Sequence, residues 1–151
     1  MEKVLYHLAQ INIAKLAAPL DSPQLKDFVD NLDPVNQLAE SASGFIWRLQ
    51  DEAGDATHIK AFDDPDIIIN MSTWTDVESL KQFMFKTVHR DFMRRKREWF
   101  IPATQSTYAL WWVPAGHQPS VEEAVERLNH LRDNGLSAYA FDFREVFSSP
   151  E

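Results

Sequence analysis

The chain predicts an α+β fold of the ferredoxin-like type, βαββαβ, extended by a helix and a strand at its C-terminal end. Three observations carry this. Short runs of alternating apolar residues are bounded by turn residues, as half-buried strands require. Apolar stripes at helical spacing follow the first and third runs. The strand–helix–strand unit then occurs twice in tandem, which is the pattern of a sheet with its helices on one face. At 151 residues one domain suffices, spanning 1–151 and able to bury about two-thirds of the surface its unfolded form exposes.

Each element has a local cause. Val4, Tyr6 and Leu8, then Ile11 and Ile13, alternate as a first strand, with a change of parity at Ala9-Gln10 that a bulge would absorb. Asp21-Ser22-Pro23 supplies a cap and an early proline for a helix carrying Leu25, Phe28, Val29, Leu32, Val35, Leu38 and Ala39. Asp33-Pro34 is expected to kink or split it. After Ser43-Gly44, the residues Phe45, Trp47 and Leu49 form a second strand, and the acidic stretch from Asp51 to Pro65 reads as a surface loop.

The third strand covers Asp66 to Trp74, and a helix beginning at Thr75 or Asp76 runs to about Phe100, with a break expected near Lys86-Thr87. Ile101-Pro102 stops it. Thr107 to Val113 is a fourth strand, and Pro114 to Pro119 a proline-shaped loop. Ser120 followed by Glu123 makes a capping box for a helix with Val121, Ala124, Val125, Leu128 and Leu131. Asn134-Gly135 closes it, and Ala138, Ala140, Phe141 and Phe143 are expected to form a last strand. Apolar residues occupy both parities at Ile67/Ile68 and Trp111/Trp112, so both sheet faces need cover, which a homodimer pairing its sheets would supply.

Composition removes several classes. Hydrophobic residues are 44% of the chain and the formal net charge is −8; the acidic balance argues against a general nucleic-acid binder, which needs a broad basic surface. With no cysteine, disulfides, thiolate metal sites and a cysteine nucleophile are excluded. No HxH, HxxxH or HExxH occurs, so no metal site is expected. GxGxxG, Walker and GxSxG motifs are likewise missing. No apolar stretch reaches transmembrane length and the N-terminus does not read as a signal peptide, so a cytoplasmic protein away from membranes is expected.

The candidate chemistry gathers on the second helix. Over residues 87–100, Val88, Phe92, Arg95 and Trp99 share one stripe, while His89, Met93, Lys96 and Phe100 share the next. His89 thus borders the apolar face, either as a general base or as a packed ring bonded to a carbonyl. Arg95 is the cation best placed to meet a ligand carboxylate, set against ion pairing with neighbouring acids. Trp47, Trp74, Trp99, Trp111 and Trp112 offer surfaces for a planar ligand or serve as core; alternation sends Trp111 and Trp112 to opposite faces. The ligand-binding candidates are Arg95, Trp99, Trp47, Trp74, Trp111 and Phe92, with His89 as the catalytic candidate.

MSTWTDVESLKQFMFKTVHRDFMRRKREWF, followed by YALWWVPAGHQPSVEEAVERLNHLRDNGLSAYAFDF, resembles a bacterial family known only as a domain of unknown function, in the dimeric α/β-barrel superfamily. The LWWVP run and the Gly116 to Pro119 residues that follow it, from Leu110 to Pro119, are specific to it. The strand–Trp–Thr–Asp–helix–His layout is also similar to antibiotic-biosynthesis monooxygenases of that superfamily. The resemblance implies a homodimer with a pocket between each sheet and its helices, and a small-molecule-binding protein. The enzyme reading set beside it is monooxygenase-like oxidation of a planar aromatic or polyketide-like substrate without a cofactor, with His89, chosen for its place on the helix rather than carried over from the family, as base. Two alternatives stand beside it: a haem-binding protein with His89 as axial ligand, and a non-catalytic ligand-binding or structural dimer. Whether the chain is an enzyme stays open at this level.

Overall fold

The computed structural model describes residues 5–50, 62, 64–87 and 95–150. Its centre is β1 (Tyr6–Leu16), a strand of 11 residues. On one side β1 pairs antiparallel with β3 (Ile67–Trp74), which in turn pairs with β2 (Phe45–Arg48). On the other side it pairs with the two-residue β4 (Phe100–Ile101) near its end and with β5 (Tyr108–Pro114) along its first half. Helix α1 (Lys26–Ser41), preceded by a 3₁₀ turn at Pro23–Leu25, links β1 to β2; α2 (Val77–Gln82) follows β3, and α3 (Val121–Asn134) follows β5.

Register assigns the side chains to faces. Leu8, Gln10, Asn12 and Ala14 of β1 stand opposite Trp74, Ser72, Asn70 and Ile68 of β3, and Leu8, Gln10 and Asn12 opposite Trp112, Leu110 and Tyr108 of β5. These form the even face. The odd face carries Ala9, Ile11, Ile13, Ile69, Met71, Ala109, Trp111 and Val113, buried together under Ala124, Leu128 and Leu131 of α3. The chain's own last helix therefore covers a sheet face that the sequence reading left to a second subunit.

The even face holds two apolar clusters. Leu16, Ile68 and Trp99 meet Leu25 and Phe28 at the start of α1, while Leu8, Trp74 and Leu110 meet Leu80 of α2 and Phe141 of the C-terminal segment. Between them lie the polar rows of Gln10, Asn12, Asn70 and Ser72.

Several local expectations change. Pairing of β1 with β3 is unbroken from Leu8 to Lys15, so the parity change at Ala9-Gln10 is no bulge: β1 is buried on both faces and carries apolar residues at both parities. The irregularity falls in β2 instead, between Phe45 and Trp47. Helix α1 continues through Pro34, which sits on the exposed side of the helix. Ser22 makes no cap; its hydroxyl donates to Pro19 O at 2.5 Å. The helix after β3 widens into a π-helical turn over Phe83–Thr87, where the break was expected, and residues 95–99 are again helical.

The expected last strand is a turn-rich segment that touches the sheet through one bridge, Leu110 with Phe141. A Ser137 to Ala140 turn and a second bridge from Asp142 to Glu145 fold it back on itself. The alternation of Phe141 and Phe143 reflects packing on the even face rather than strand pairing. Gly44, with φ +84°, brings the end of α1 close to α2, its carbonyl accepting from Thr75 N–H at 2.8 Å.

Candidate functional site

An amide or hydroxyl in the middle of a buried sheet face costs free energy unless it is bonded. On the even face the solution is a short network. Gln10 Nε2 donates to Asn70 Oδ1 at 2.7 Å and to Ser72 Oγ at 2.8 Å, and the indole N–H of Trp74 donates to the same Ser72 Oγ at 2.8 Å. Gln10 and Ser72 are buried, at 4% and 6% exposure, whereas Asn70 is exposed and Asn12, facing it across the β1–β3 ladder, is half-buried. The network therefore runs from a sealed interior to an open surface on a single strand pair.

The walls of this polar belt differ in character. Trp74 closes one end, stacked on Phe83 at 5.3 Å and meeting Phe45 edge-on at 5.5 Å. Tyr108 stands in the same row as Asn12 and Asn70; its hydroxyl accepts from Phe143 N–H at 3.1 Å, and burial holds its pKa above the ordinary value. Arg48, in the row of Ser72, reaches Glu40 of α1 at 2.8 Å. The belt thus offers uncharged amide donors and acceptors on the sheet floor, aromatic surface at its end and side, and a cation at the β2 edge. Such a set suits a planar molecule with a polar oxygen.

Among the described residues, those singled out from sequence lie in different parts of the fold. Trp74 joins the belt. Trp47 packs against the odd-face core, and Trp111 is fully buried there with its indole N–H on Glu123 Oε2 at 2.9 Å. Trp112 lies on the even face, donating to Phe147 O at 2.8 Å, so the two neighbouring tryptophans do part as alternation requires. Trp99 is core beside Phe28. Arg95 pairs with Asp27 at 2.5 Å and with Glu98 at 2.9 Å, its guanidinium 4.9 Å from the Trp99 ring centre. Hydrogen bonding and charge from Arg95 hold the Asp27 and Glu98 carboxyls below their ordinary pKa. His89 and Phe92 lie outside the described residues.

Sequence reasoning missed Gln10, Asn12, Asn70 and Ser72. A signal was present: Gln10, Asn12, Asn70 and Ser72 stand at even parity beside the apolar odd positions Ala9, Ile11, Ile13, Ile69 and Met71. His117 in the loop before α3 bonds Glu123 Oε1 through Nε2 at 2.8 Å, which serves the turn. Two shallow grooves occur elsewhere, one along α3 by Val121, Val125 and His130, the other between Ser43, Ser79 and Phe83. Among the described residues no group of three or more His, Asp or Glu is arranged to hold a metal ion, and no helix is long and apolar enough to cross a membrane.

Comparison with known proteins gives the following. Residues 7–151 match the family described as domain of unknown function DUF3291. No curated protein matches the chain. Among solved structures, a protein of unknown function from Nitrosomonas europaea is similar at 16% identity, over 78% of this chain and 99% of its own, with a TM-score of 0.49. A mutant of SnoaB, a cofactor-independent oxygenase from Streptomyces nogalater, is similar at 10% identity, over 74% of this chain and 95% of its own, with a TM-score of 0.46. A protein from Pseudomonas aeruginosa is similar at 12% identity, over 77% and 100%, with a TM-score of 0.48.

Proposed function

The chain belongs to the DUF3291 family, and we propose that it binds a small planar molecule through a carbonyl or phenolic oxygen at the polar belt of the even sheet face. The observation that carries this reading is the contrast between buried Gln10 and Ser72 and exposed Asn70 within one hydrogen-bonded group. A network serving only the core has no need of an open end. The half-buried Tyr108 ring supplies apolar contact, Trp74, itself buried, closes the end of the belt, and the amides supply orientation.

The activity attached to this site is cofactor-free oxygenation of a phenol or C–H-acidic ketone, with His89 as the base. Proton removal leaves an anion whose oxygen charge the belt's amide donors receive. Dioxygen then oxidises the activated carbon: a methylene becomes a carbonyl and one water is released per dioxygen consumed.

Binding is tested with 9-fluorenone, a rigid tricyclic ketone, titrated against the protein and against Asn70→Leu, which keeps the branched side-chain shape and removes the amide. One lost hydrogen bond is about 1 kcal/mol, or roughly a fivefold weaker Kd. Equal affinity for both proteins overturns the placement of the site. Activity is tested by dioxygen uptake over a panel of phenols and C–H-acidic ketones, with the rate expected to vanish in His89→Ala; an unchanged rate removes His89 from the mechanism.

A further inference from the structure

We propose that Gln10 is a positioning residue that fixes the orientation of the Asn70 amide and thereby sets the ligand polarity that the site accepts. This rests on the binding reading above and deepens it. A primary amide has one acceptor end and one donor end, and which end faces a ligand is decided by what the other end is bonded to. Gln10 Nε2 occupies Asn70 Oδ1 at 2.7 Å. The donor end of Asn70, its Nδ2, has no hydrogen-bond partner among the described residues and belongs to a side chain that is exposed. The open face therefore presents N–H, and the site prefers a ligand with a hydrogen-bond acceptor.

Gln10 Nε2 also donates to Ser72 Oγ at 2.8 Å, and the same oxygen accepts the Trp74 indole N–H, so one hydroxyl ties both side chains into the network. Burial of Gln10 and Ser72 keeps water from competing for these partners. Asn12, half-buried across from Asn70, adds a second amide in the same row. Gln10 has no need to touch the ligand; it acts through Asn70.

The consequence is a reversal of preference. In Gln10→Glu the carboxylate accepts where the amide donated. The Asn70 amide then turns its Nδ2 inward to bond it and leaves Oδ1 facing out. Three tricycles of nearly one shape read this: 9-fluorenone with a carbonyl, carbazole with an N–H, and fluorene with a methylene.

For the natural chain, fluorenone is expected to bind about fivefold more tightly than fluorene, with carbazole no better than fluorene. In Gln10→Glu carbazole becomes the tightest of the three and fluorenone loses its advantage. A purely structural role of Gln10 would weaken all three alike. Side-chain amide exchange followed by NMR checks the same point without ligand: the Asn70 NH₂ exchanges fast in the natural chain and becomes protected in Gln10→Glu.

Fluorenone preference that disappears in Asn70→Leu but persists in Gln10→Glu overturns the positioning role while leaving the binding site in place. Carbazole preferred by the natural chain, or an Asn70 NH₂ already protected there, overturns the assigned orientation. Failure of all three tricycles to bind the natural chain overturns the binding reading, and the positioning role with it.

Discussion

Trp111, fully buried on the odd face, donates its indole N–H to Glu123 Oε2 at 2.9 Å, and the other oxygen of the same carboxylate holds His117 at 2.8 Å. Glu123 also donates its backbone N–H to Ser120 Oγ at 3.0 Å. One residue in the first turn of α3 thereby ties together the sheet, the loop before the helix and the helix start. Replacing it by Ala leaves the Trp111 N–H in apolar surroundings without its acceptor, at a cost of about 1–3 kcal/mol. Glu123→Gln keeps an acceptor oxygen and is expected to recover most of the loss. Chemical denaturation of the two variants checks this.

Gly44 is expected to tolerate no side chain. A Cβ there would lie 2.2 Å from Ser79 Oγ and 2.7 Å from Thr75 Oγ1, at a φ of +84°. Gly44→Ala is therefore expected to destabilise the fold by about 1–3 kcal/mol from backbone strain, with the contact to α2 adding to it. Gly116 has an open surrounding at φ +90°, so Gly116→Ala should cost less. Comparing their thermal midpoints separates the clash from the strain.

Asp76 caps α2, its carboxylate accepting from Ser79 N–H at 2.7 Å, and that bond holds its pKa below the ordinary 3.8. A folded-state pKa lower than the unfolded one means that the stabilisation is complete above about pH 3.8 and fades as pH falls through the folded value. Asp76→Ala is expected to cost about 1 kcal/mol at neutral pH. Asn at this position caps without titrating, so the stability difference between the natural chain and Asp76→Asn should shift toward Asn as the pH is lowered below 3.8. Urea unfolding at pH 7 and pH 3 reads the change.

Trp99 lies at 1% exposure, with Phe28 at 5.5 Å and Phe100 at 6.3 Å between ring centres. Trp99→Ala is expected to destabilise by about 3–5 kcal/mol, as for other large aromatic truncations in a core. Trp99→Phe should cost much less. A binding role for Trp99 without a core role would instead leave the unfolding midpoint of both variants near that of the natural chain.

The succession of β1, α1, β2, β3, α2, β5 and α3 was legible in the sequence because strand parity and helix period are local, whereas the two-residue β4 was not, and the expected last strand makes only one bridge to the sheet. The Ser120 cap and a helix start near Asp76 were readable for the same reason, while the break expected near Lys86-Thr87 falls in a π-helical turn. The candidate site was not, because it depends on register. Gln10, Asn70 and Ser72 are 60 and 62 residues apart along the chain from first to last partner, and only the antiparallel alignment of β1 with β3 makes them neighbours. Trp99 and Arg95 attracted notice through their helical stripe, yet these two pack on α1, where Phe28 and Asp27 meet them. Phe141 and Phe143 alternate as a strand would, yet only Phe141 reaches the sheet, through its bridge to Leu110.

The most direct measurement is an NMR titration of the natural chain with 9-fluorenone, following side-chain amide resonances. The binding reading predicts saturable shifts of the Asn70 and Asn12 NH₂ groups together with the Trp74 indole N–H. Saturable shifts confined to α3, or to Ser79 and Phe83 at the other groove, with Asn70 unmoved, would contradict it.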